Sequence, residues 1–451
     1  MLKRKQVVEF IIEETEYGGK AYGLVDGNKV IVKHGIKGQK VRVFINKARR
    51  NKIEGKILEI LERSPMENQE TCAHFGKCGG CFQQGIAYEH QLKEKEAQVK
   101  RLFEEDNIQY ENWLPIEGSP EAFGYRNKME FSFGDEEKGG PLTLGMHKRG
   151  KHHDIVTVDQ CLIMDEDFRS ILTVILEFFK QREIPHYSST RHEGYLRHLV
   201  VRKAHYTKEI LINLVTTTQS DINIEGLVEE IKALSLKGKL VGSLHTFNDN
   251  LADMVQSDRT DVLIGQDYFS EELLGLRFKI SAFSFFQTNS LGAEKLYSIV
   301  RDFVGQADDQ VVFDLYCGTG TIGQIVAQKA KKVIGIEIVE DAVTAANENA
   351  KLNGLTNCHF IAGDVKKKIK ELNDKPDIII LDPPRAGIHA AALQDIIDFN
   401  TEKIVYVSCN PKSMVKDLAM LEAHGYQVKK VKCMDMFPHT PHVEAVTLLT
   451  K

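Results

Sequence analysis

The chain has 451 residues, of which 42% are hydrophobic and 27% are charged, as in ordinary globular proteins. That length is too great for one hydrophobic core and predicts roughly three domains of about 150 residues. The sequence contains no run of about 18 apolar residues, the length that a helix needs to cross a membrane. Acidic residues interrupt the first segment before an apolar core like that of a signal peptide could develop. We therefore expect a cytoplasmic protein with no membrane partner.

The first 63 residues are basic, whereas the rest of the chain is acidic. They hold 15 Lys or Arg against 8 Asp or Glu, although the whole chain has a net charge of −5. Short strand-like runs separated by Gly-containing turns predict a small β-barrel of the OB type over residues 1–63. A basic module on an acidic body favours polyanion binding, and a solvated charged surface is an equally acceptable interpretation.

Four cysteines in the next segment need an explanation of their own. Cys72, Cys78 and Cys81 cluster, Cys161 offers a fourth thiolate, and eight cysteines in all are too few for a disulfide scaffold. Four soft ligands suit either tetrahedral zinc or an iron–sulfur cluster, and the spacing does not decide between them. The glycines of KCGGC would let the backbone wrap around a bound group.

The middle of the chain reads as an α+β domain that carries these cysteines, and we place it at residues 64–262. Helical spacing predicts one helix from Tyr88 to Glu105 and a second, apolar one from Phe168 to Gln181. Strand-like runs surround the second helix. The sequence pattern does not indicate which α+β fold these elements build.

From about Asp309 apolar strands alternate with amphipathic helices, which predicts a doubly wound parallel sheet within residues 263–451. Ligands of such sheets bind where the strands end. Asp314 opens a Gly-rich turn after the first of these strands, and small residues there allow a ligand to approach the backbone closely. The residues of this turn that we expect at a ligand are Gly318, Gly320 and Thr321.

Two further carboxylates follow the next strands and indicate which ligand the turn binds. Glu337 is placed to accept both ribose hydroxyls of a nucleoside, and Asp364 is placed to reach an adenine edge. An acidic residue followed at a distance by Gly-x-Gly resembles the first motif of class I methyltransferases. This resemblance favours S-adenosylmethionine over NAD, and a tight turn without a ligand is the remaining interpretation.

Cys409 directly follows the apolar strand KIVYVS and precedes an Asn-Pro turn. A partly exposed thiol in such a place is typical of reactive cysteines. Cys317, Cys358 and Cys433 compete for the role, and most single cysteines are simply small buried hydrophobes. The preceding LDPPR segment places Asp382 at the end of another strand. Amino-nitrogen methyltransferases usually have Asn and an aromatic where this segment has Asp382 and Arg385.

Five motifs together resemble the RNA uracil-C5 methyltransferases, above all the bacterial enzymes that act on 23S ribosomal RNA. The motifs are SFFQTN, DLYCGTGTIG, LDPPRAG, VSCNP and PHTPHVEAV. The resemblance covers essentially the whole chain. It implies a TRAM domain at residues 1–63 and a Rossmann-like methyltransferase domain that uses S-adenosylmethionine at residues 263–451.

The resemblance also implies roles for individual residues. Cys409 would be the nucleophile that bonds carbon 6 of a uridine, and Glu444 would be the base that removes the proton from carbon 5. A 4Fe–4S cluster, with zinc as the alternative, would be held by the four cysteines. The side chains that would contact the cofactor or the target base are Gln287, Tyr316, Glu337 and Asp382.

We therefore predict a monomeric enzyme that methylates carbon 5 of a uridine in 23S ribosomal RNA. The uridine must leave its stack. The basic barrel, Lys47–Lys52 and His147–His153 are interpreted as clamps on the RNA backbone, with Phe285 or Phe286 as a stacking surface; ordinary surface or core is an equally acceptable interpretation of each. A T-loop uridine of transfer RNA is the nearest alternative. A non-catalytic RNA-binding or iron–sulfur redox protein on a methyltransferase fold is an alternative of another class.

Overall fold

The computed structural model describes residues 2–49, 52–67, 71–151, 153–252 and 254–451. Within these ranges the strands form three large sheets and one hairpin. None of the described helices has both the length and the apolar sequence that crossing a membrane requires.

The N-terminal residues form a six-stranded sheet in the order β1-β5-β6-β4-β3-β2. Its strands are β1 (Val7–Ile11), β2 (Glu14–Glu16), β3 (Lys20–Val25), β4 (Asn28–Lys33), β5 (Lys40–Arg49) and β6 (Lys52–Glu62). The sheet curls on itself, since a Cβ on Gly23 in β3 would lie 2.3 Å from the carbonyl oxygen of Ile11. Alternate side chains fill one small apolar core. The strand-rich N-terminal segment is thus confirmed, and its assignment to the OB class stays a prediction.

The middle of the chain is built on a seven-stranded sheet in the order β10-β9-β8-β11-β12-β13-β14. Its elements are α1 (Tyr88–Glu105), β7 (Tyr110–Glu117), β8 (Lys128–Asp135), β9 (Leu142–His147), β10 (Ile155–Thr157), α2 (Glu166–Lys180), β11 (Leu196–Lys203), β12 (Glu209–Thr216), α3 (Glu225–Lys232), β13 (Lys239–Phe247) and β14 (Arg259–Gly265). The apolar face of α2 packs on this sheet. Both predicted helices are therefore present, α1 with the predicted bounds and α2 two residues earlier at its start.

The C-terminal part contains an eight-stranded sheet in the order β19-β18-β17-β20-β21-β23-β22-β7. Its elements are β15 (Tyr268–Leu273), β16 (Leu276–Ser281), α4 (Ser290–Val304), β17 (Ala307–Leu315), α5 (Thr321–Ala327), β18 (Ala330–Glu337), α6 (Glu340–Leu352), β19 (Cys358–Ala362), α7 (Val365–Lys368), β20 (Ile378–Leu381), α8 (Ala390–Asp398), β21 (Lys403–Ser408), α9 (Pro411–Ala423), β22 (Gln427–Met434) and β23 (Glu444–Thr450). The strands β17 to β21 run parallel, as predicted, and β23 lies antiparallel to β21.

The edge strand β7 belongs to this C-terminal sheet, although its residues fall within the predicted central domain. It pairs in parallel with β22, where Trp113 lies opposite Val431. The Trp113 ring also packs edge-on against Phe103 of α1, with 5.4 Å between ring centroids. The chain therefore crosses into the C-terminal sheet before it builds the central one, and the domain boundaries drawn from the sequence stay predictions.

Candidate active site

One large cavity of about 1170 Å³ opens at the carboxyl ends of the parallel strands β17, β18, β20 and β21. This is the edge where a doubly wound sheet binds its ligands. Nine of the predicted site residues line it, namely Gln287, Tyr316, Gly318, Thr321, Glu337, Asp364, Asp382, Cys409 and Glu444. The fold thus brings together residues that lie far apart in the chain.

The Gly-rich turn after β17 has an unusual backbone. Tyr316, Gly318 and Gly320 adopt φ values of 65°, 53° and 70°, in the left-handed region that favours glycine. A Cβ on Gly320 would lie 2.5 Å from the ring of Phe360, whereas one on Gly318 would meet nothing within 4 Å. Gly320 therefore lies behind the cavity wall and lets the turn pack closely, and Gly318 faces open space.

The carboxylate of Glu337 is fixed beside this turn. It accepts hydrogen bonds from the backbone nitrogens of Gly318 at 3.1 Å and Val339 at 3.0 Å. Ile338, next to it, lines the cavity with a side chain that is 67% exposed. A held carboxylate beside exposed apolar surface fits the ribose and the base of a nucleoside cofactor.

The carboxyl group of Asp314 lies deeper in the same cavity. One oxygen accepts a hydrogen bond from the nitrogen of Gly323 at 2.8 Å, and the other is buried without a partner among the described residues. Burial, with the charges of Asp382 and Glu337, raises the pKa of Asp314 to about 8. A buried polar atom without a partner is a further feature that a polar ligand could satisfy.

Asp382 lies close enough to Cys409 and Glu444 for its charge to raise their pKa values, and Gln287 lines the same cavity. Burial raises the pKa of Asp382, which follows β20, to about 7. The side chain of Gln287 lies beside buried Tyr297 and lowers the pKa of its phenol, although burial raises it overall. Asn127 of the central domain donates to the backbone carbonyl of Gln287 at 2.9 Å, so the central domain fixes this loop.

Cys409 and Glu444 are neighbours because of the register of two antiparallel strands. Ser408 at the end of β21 pairs with Ala445 of β23, so the next residue of one strand and the preceding residue of the other meet at the same edge. Burial and the charge of Glu444 raise the pKa of the half-buried Cys409 thiol. Burial and the charge of Asp382 raise the pKa of Glu444 to about 8.

Arg385 opposes both of these shifts. Its guanidinium lies in the same cavity, and its positive charge lowers the pKa of Cys409 and of Glu444. The backbone carbonyl of Arg385 accepts a hydrogen bond from the side chain of Asn410 at 2.8 Å. His442 also lines the cavity, and burial together with the charge of Arg385 lowers its pKa to about 4.

Arg385 and His442 are site residues that the sequence did not predict. Each lies within one of the five family motifs, LDPPRAG or PHTPHVEAV, and closeness in sequence to Asp382 and Glu444 was the only signal that could have identified them.

The two aromatic residues of SFFQTN differ in exposure. Both line the cavity, but Phe285 is 68% exposed, whereas Phe286 is 7% exposed and packs into the core.

The competing thiols are less accessible than Cys409. Cys317 also lines the cavity, but burial and the charge of Asp314 raise its pKa well above the usual range. Cys358 and Cys433 lie in the hydrophobic core. Cys409 is thus the half-buried thiol with a cationic partner, which is the environment of reactive cysteines.

A second cavity of about 240 Å³ is lined by Cys72, Cys78, Cys81 and Cys161. Three of the sulfurs accept hydrogen bonds, from the backbone of His74 at 3.5 Å, the backbone of Gly80 at 3.3 Å and the side chain of Gln84 at 3.2 Å. Among the described residues no three His, Cys, Asp or Glu side chains are grouped as around a single metal ion. The four thiols line a cavity and do not converge on the position of a single metal ion.

The basic segments proposed as RNA clamps are only partly on the surface. In the His147–His153 segment, Arg149 donates to the backbone carbonyl of Cys81 at 2.6 Å and lies over the ring of Phe75. Arg149 therefore holds the cysteine loop. Arg50, Asn51 and His152, which belong to the two predicted clamps, lie outside the described residues.

The two cavities share a wall. Arg126 and Thr288 line the cysteine cavity, and Thr288 also lines the large one. The Arg126 guanidinium donates to the hydroxyl of Thr288 at 3.0 Å and lies over the ring of Phe437, which also lines the large cavity. The loop that carries Gln287 is therefore in contact with the cysteine region.

Comparison with known proteins places this geometry in context. Residues 87–451 match the family model described as tRNA (uracil-5-)-methyltransferase. An uncharacterized RNA methyltransferase of Clostridium tetani is 54% identical over 100% of this chain and 99% of its own, and one of Caldanaerobacter subterraneus is 51% identical over 100% of both. The crystal structure of Pyrococcus abyssi tRNA (uracil-54, C5)-methyltransferase with S-adenosyl-L-homocysteine has a TM-score of 0.77 at 25% identity, over 98% of this chain and 100% of that one.

Proposed function

This chain belongs to the tRNA (uracil-5-)-methyltransferase family, an enzyme family that uses S-adenosylmethionine, and we propose that it methylates carbon 5 of a uridine in RNA through a transient bond to Cys409. One observation carries the proposal. The Cys409 thiol, its cationic partner Arg385 and the buried carboxyl of Glu444 share one cavity with a nucleoside-type site at Glu337.

The cofactor, when bound, supplies an electrophilic methyl group. Glu337 is the residue we assign to the ribose hydroxyls, and Asp364 is assigned to the adenine edge. Gln287, Tyr316 and Asp382 lie where they would contact the rest of the cofactor or the target base. The backbone of the turn at Gly318 leaves open space for the ligand.

The nucleophile is needed because carbon 5 of uracil is too electron-poor to attack a methyl group unaided. Addition of the Cys409 thiolate to carbon 6 would form a sulfur–carbon bond and move the electron pair of the ring double bond towards carbon 5. Carbon 5 could then take the methyl group, as the bond between that group and the cofactor's sulfur breaks and its electron pair stays on the sulfur. Arg385 favours the thiolate, because a guanidinium stabilises a neighbouring negative charge.

The base completes the cycle. Glu444 takes the proton from carbon 5, and the electron pair of that carbon–hydrogen bond re-forms the ring double bond as the sulfur–carbon bond breaks. The pKa of Glu444, raised by burial to about 8, gives this carboxylate a greater affinity for the proton than an exposed one would have.

Release of tritium from RNA that contains 5-tritiated uridine tests the proposal, because proton loss from carbon 5 accompanies each turnover. We expect release by the wild-type chain and by Cys317→Ala, whose thiol lines the same cavity. We expect none from Cys409→Ala, which should still bind S-adenosyl-L-homocysteine. Release by Cys409→Ala at the wild-type rate would refute the assignment of the nucleophile.

A uridine of 23S ribosomal RNA is the substrate we propose first, on the resemblance to the bacterial ribosomal RNA enzymes. A transfer RNA uridine is the second candidate, because the Pyrococcus abyssi enzyme that acts on transfer RNA matches 98% of this chain. That match extends over the N-terminal domain, so the domain does not separate the two substrates. Tritium release from ribosomal and transfer RNA transcripts, each compared with a transcript that lacks the target uridine, would separate them.

We propose that the N-terminal six-stranded sheet is an OB-like TRAM domain that binds RNA. The family resemblance implies the TRAM domain, and the strand content and positive charge support a barrel that binds RNA. We also propose that the chain divides into three domains, at residues 1–63, 64–262 and 263–451. We also propose that the enzyme is a monomer.

The four cysteines are proposed to hold a 4Fe–4S cluster, with zinc as the alternative. Thiolates bound to four different iron atoms stand farther apart than thiolates around one zinc ion, and the described cysteines line a cavity without converging on a point. Hydrogen bonds to cysteine sulfurs are also a feature of iron–sulfur sites. Burial raises the pKa of Cys81 to about 12 and of Cys161 to about 11, so ligand binding must displace protons.

Metal analysis after purification without oxygen tests this proposal. We expect about four iron atoms per chain, a visible absorption band that dithionite bleaches, and loss of both in Cys161→Ser. One zinc atom per chain and no visible band would establish the alternative. Cys433→Ser, which changes a thiol outside this cavity, is the matched control.

A further inference from the structure

The β2–β3 hairpin of the N-terminal sheet is anchored to helix α1 of the next domain. Buried Thr15 donates through its hydroxyl to Glu94, and the side chain of Gln98 donates to the same hydroxyl at 3.0 Å. Arg101 donates to the backbone carbonyl of Thr15 at 2.6 Å. Three helix side chains thus hold one strand of the N-terminal domain.

The turn of the same hairpin is enclosed by loops that lead to both cavities. A Cβ on Gly19 would lie 3.1 Å from the ring of Phe82, which follows the cysteine cluster, and 3.5 Å from Pro441, three residues before Glu444. The backbone nitrogen of Phe82 donates to the carbonyl of His439 at 2.6 Å. The hairpin therefore reaches the loop that precedes Glu444.

Between the anchored strand and the enclosed turn lies Tyr17. Its hydroxyl donates to the backbone carbonyl of Cys409 at 3.4 Å, and its ring packs on the hydrophobic core of the C-terminal domain. Burial and the charges of Glu444 and Cys409 raise the pKa of Tyr17, while the charge of Arg385 lowers it. The phenol is thus close to all three groups and remains a hydrogen-bond donor.

We propose that Tyr17 is a positioning residue through which the N-terminal domain fixes the backbone of the nucleophile Cys409. The inference rests on the proposed function, since it gives Cys409 the role of the thiol that bonds carbon 6. Cys409 begins the turn between β21 and α9, so a hydrogen bond to its carbonyl restrains where the thiol points. Displacement of a reacting atom by about 1 Å can cost about a hundredfold in rate, and a contact across domains can therefore matter for turnover.

The sequence contains no local signal for this role. Tyr17 is separated from Cys409 by most of the chain, and it lies in a basic segment predicted to bind RNA. A protein without the N-terminal domain would lack this restraint on its nucleophile. The domain would then serve catalysis as well as RNA binding.

Tyr17→Phe tests the inference, because it removes the hydroxyl and keeps the ring. We expect the rate of covalent RNA adduct formation in a single turnover to fall roughly five- to tenfold, the effect of one hydrogen bond. The dissociation constants of RNA and S-adenosyl-L-homocysteine should stay within about twofold. The midpoint of the pH–rate profile should not move, because Tyr17 positions the thiol and does not titrate with it.

Tyr22→Phe is the matched control, since Tyr22 lies in β3 of the same hairpin, where Lys29 covers its ring. A wild-type rate in Tyr17→Phe would overturn the inference. So would a loss of RNA affinity as large as the loss of rate, which would make Tyr17 an RNA contact. Cys409→Ala, assayed in parallel, separates the two levels: methylation by that variant defeats the proposed function, whereas an inactive Cys409→Ala with a normal Tyr17→Phe defeats only the inference.

Discussion

The guanidinium of Arg385 lies beside Cys409, close enough for its positive charge to lower the pKa of that thiol. Burial and the neighbouring carboxyl of Glu444 both disfavour the thiolate, and Arg385 is the charge that opposes them. The same arginine lowers the pKa of Glu444. One exposed side chain therefore favours the reactive form of both groups to which we assign the chemistry.

Replacement of Arg385 by Gln should shift the pH–rate profile to higher pH. The pKa of Cys409 should rise, and its thiol must be deprotonated to bond carbon 6, so the adduct rate near pH 7.5 should fall roughly tenfold or more and partly recover by about pH 9.5. Rapid-quench measurements across this range would show the shift. Arg277→Gln changes an exposed arginine of β16 and should leave the profile unchanged, and a profile unaltered in Arg385→Gln would exclude its role.

Glu444→Gln should trap the enzyme on its substrate. Methyl transfer can proceed, but no carboxylate takes the proton from carbon 5, so the bond between Cys409 and carbon 6 should persist. Denaturing gels with labelled RNA should show a slower band that contains both protein and RNA. Glu105→Gln, on the exposed side of α1, should show turnover without this band. Absence of the band in Glu444→Gln would place the base elsewhere.

The same substitution should stabilise the fold at alkaline pH. The folded protein holds the Glu444 proton up to about pH 8, whereas an unfolded glutamate releases it near 4.5. Stability should therefore fall as pH rises between these values, and Glu444→Gln should avoid a loss of roughly 3–5 kcal/mol. Urea unfolding of the wild-type chain and of Glu444→Gln at pH 5.5 and 8.5 measures the gain in unfolding free energy. An equal gain at both pH values would show that the Glu444 proton is not its cause.

Gly320→Ala should disturb the cofactor turn. The added methyl would lie 2.5 Å from the ring of Phe360, on a backbone that already has a positive φ. We expect a loss of roughly 2 kcal/mol or more in unfolding free energy, with weaker binding of S-adenosyl-L-homocysteine. Gly354→Ala has a similar φ of 66° and no atom within 4 Å, so the loss there should come from the backbone strain alone. Equal losses in the two variants would show that packing against Phe360 is unimportant.

Local patterns predicted the regular elements well, because they depend on neighbouring residues. Helical spacing gave α1 its observed bounds, and the alternation after Asp309 gave the parallel strands. The place of β7 was not predictable in this way. Trp113 and its neighbours read as part of the central domain, and only pairing with the distant β22 assigns them to the other sheet.

The residues of the candidate site likewise fall into those that local sequence patterns predicted and those that they did not. The polar end of an apolar strand pointed to Cys409, and the Gly-rich turn pointed to Glu337. Glu444 was chosen only through the family resemblance, because a carboxylate at the start of a terminal strand has no distinctive pattern. Tyr17 was not found at all, since its contact with Cys409 exists only once two domains have docked.

The pairing of Ser408 with Ala445 fixes how far the sulfur and the carboxyl stand apart. Helix α9 and strand β22, which join the two positions, do not themselves define that separation. Insertions or deletions in the surface turns of this connection should therefore be tolerated among relatives, whereas a slip of a single residue along β21 would send the two reacting groups to opposite faces of the sheet. Searches for similar enzymes should accordingly leave the gap between VSCNP and HVEAV free to vary.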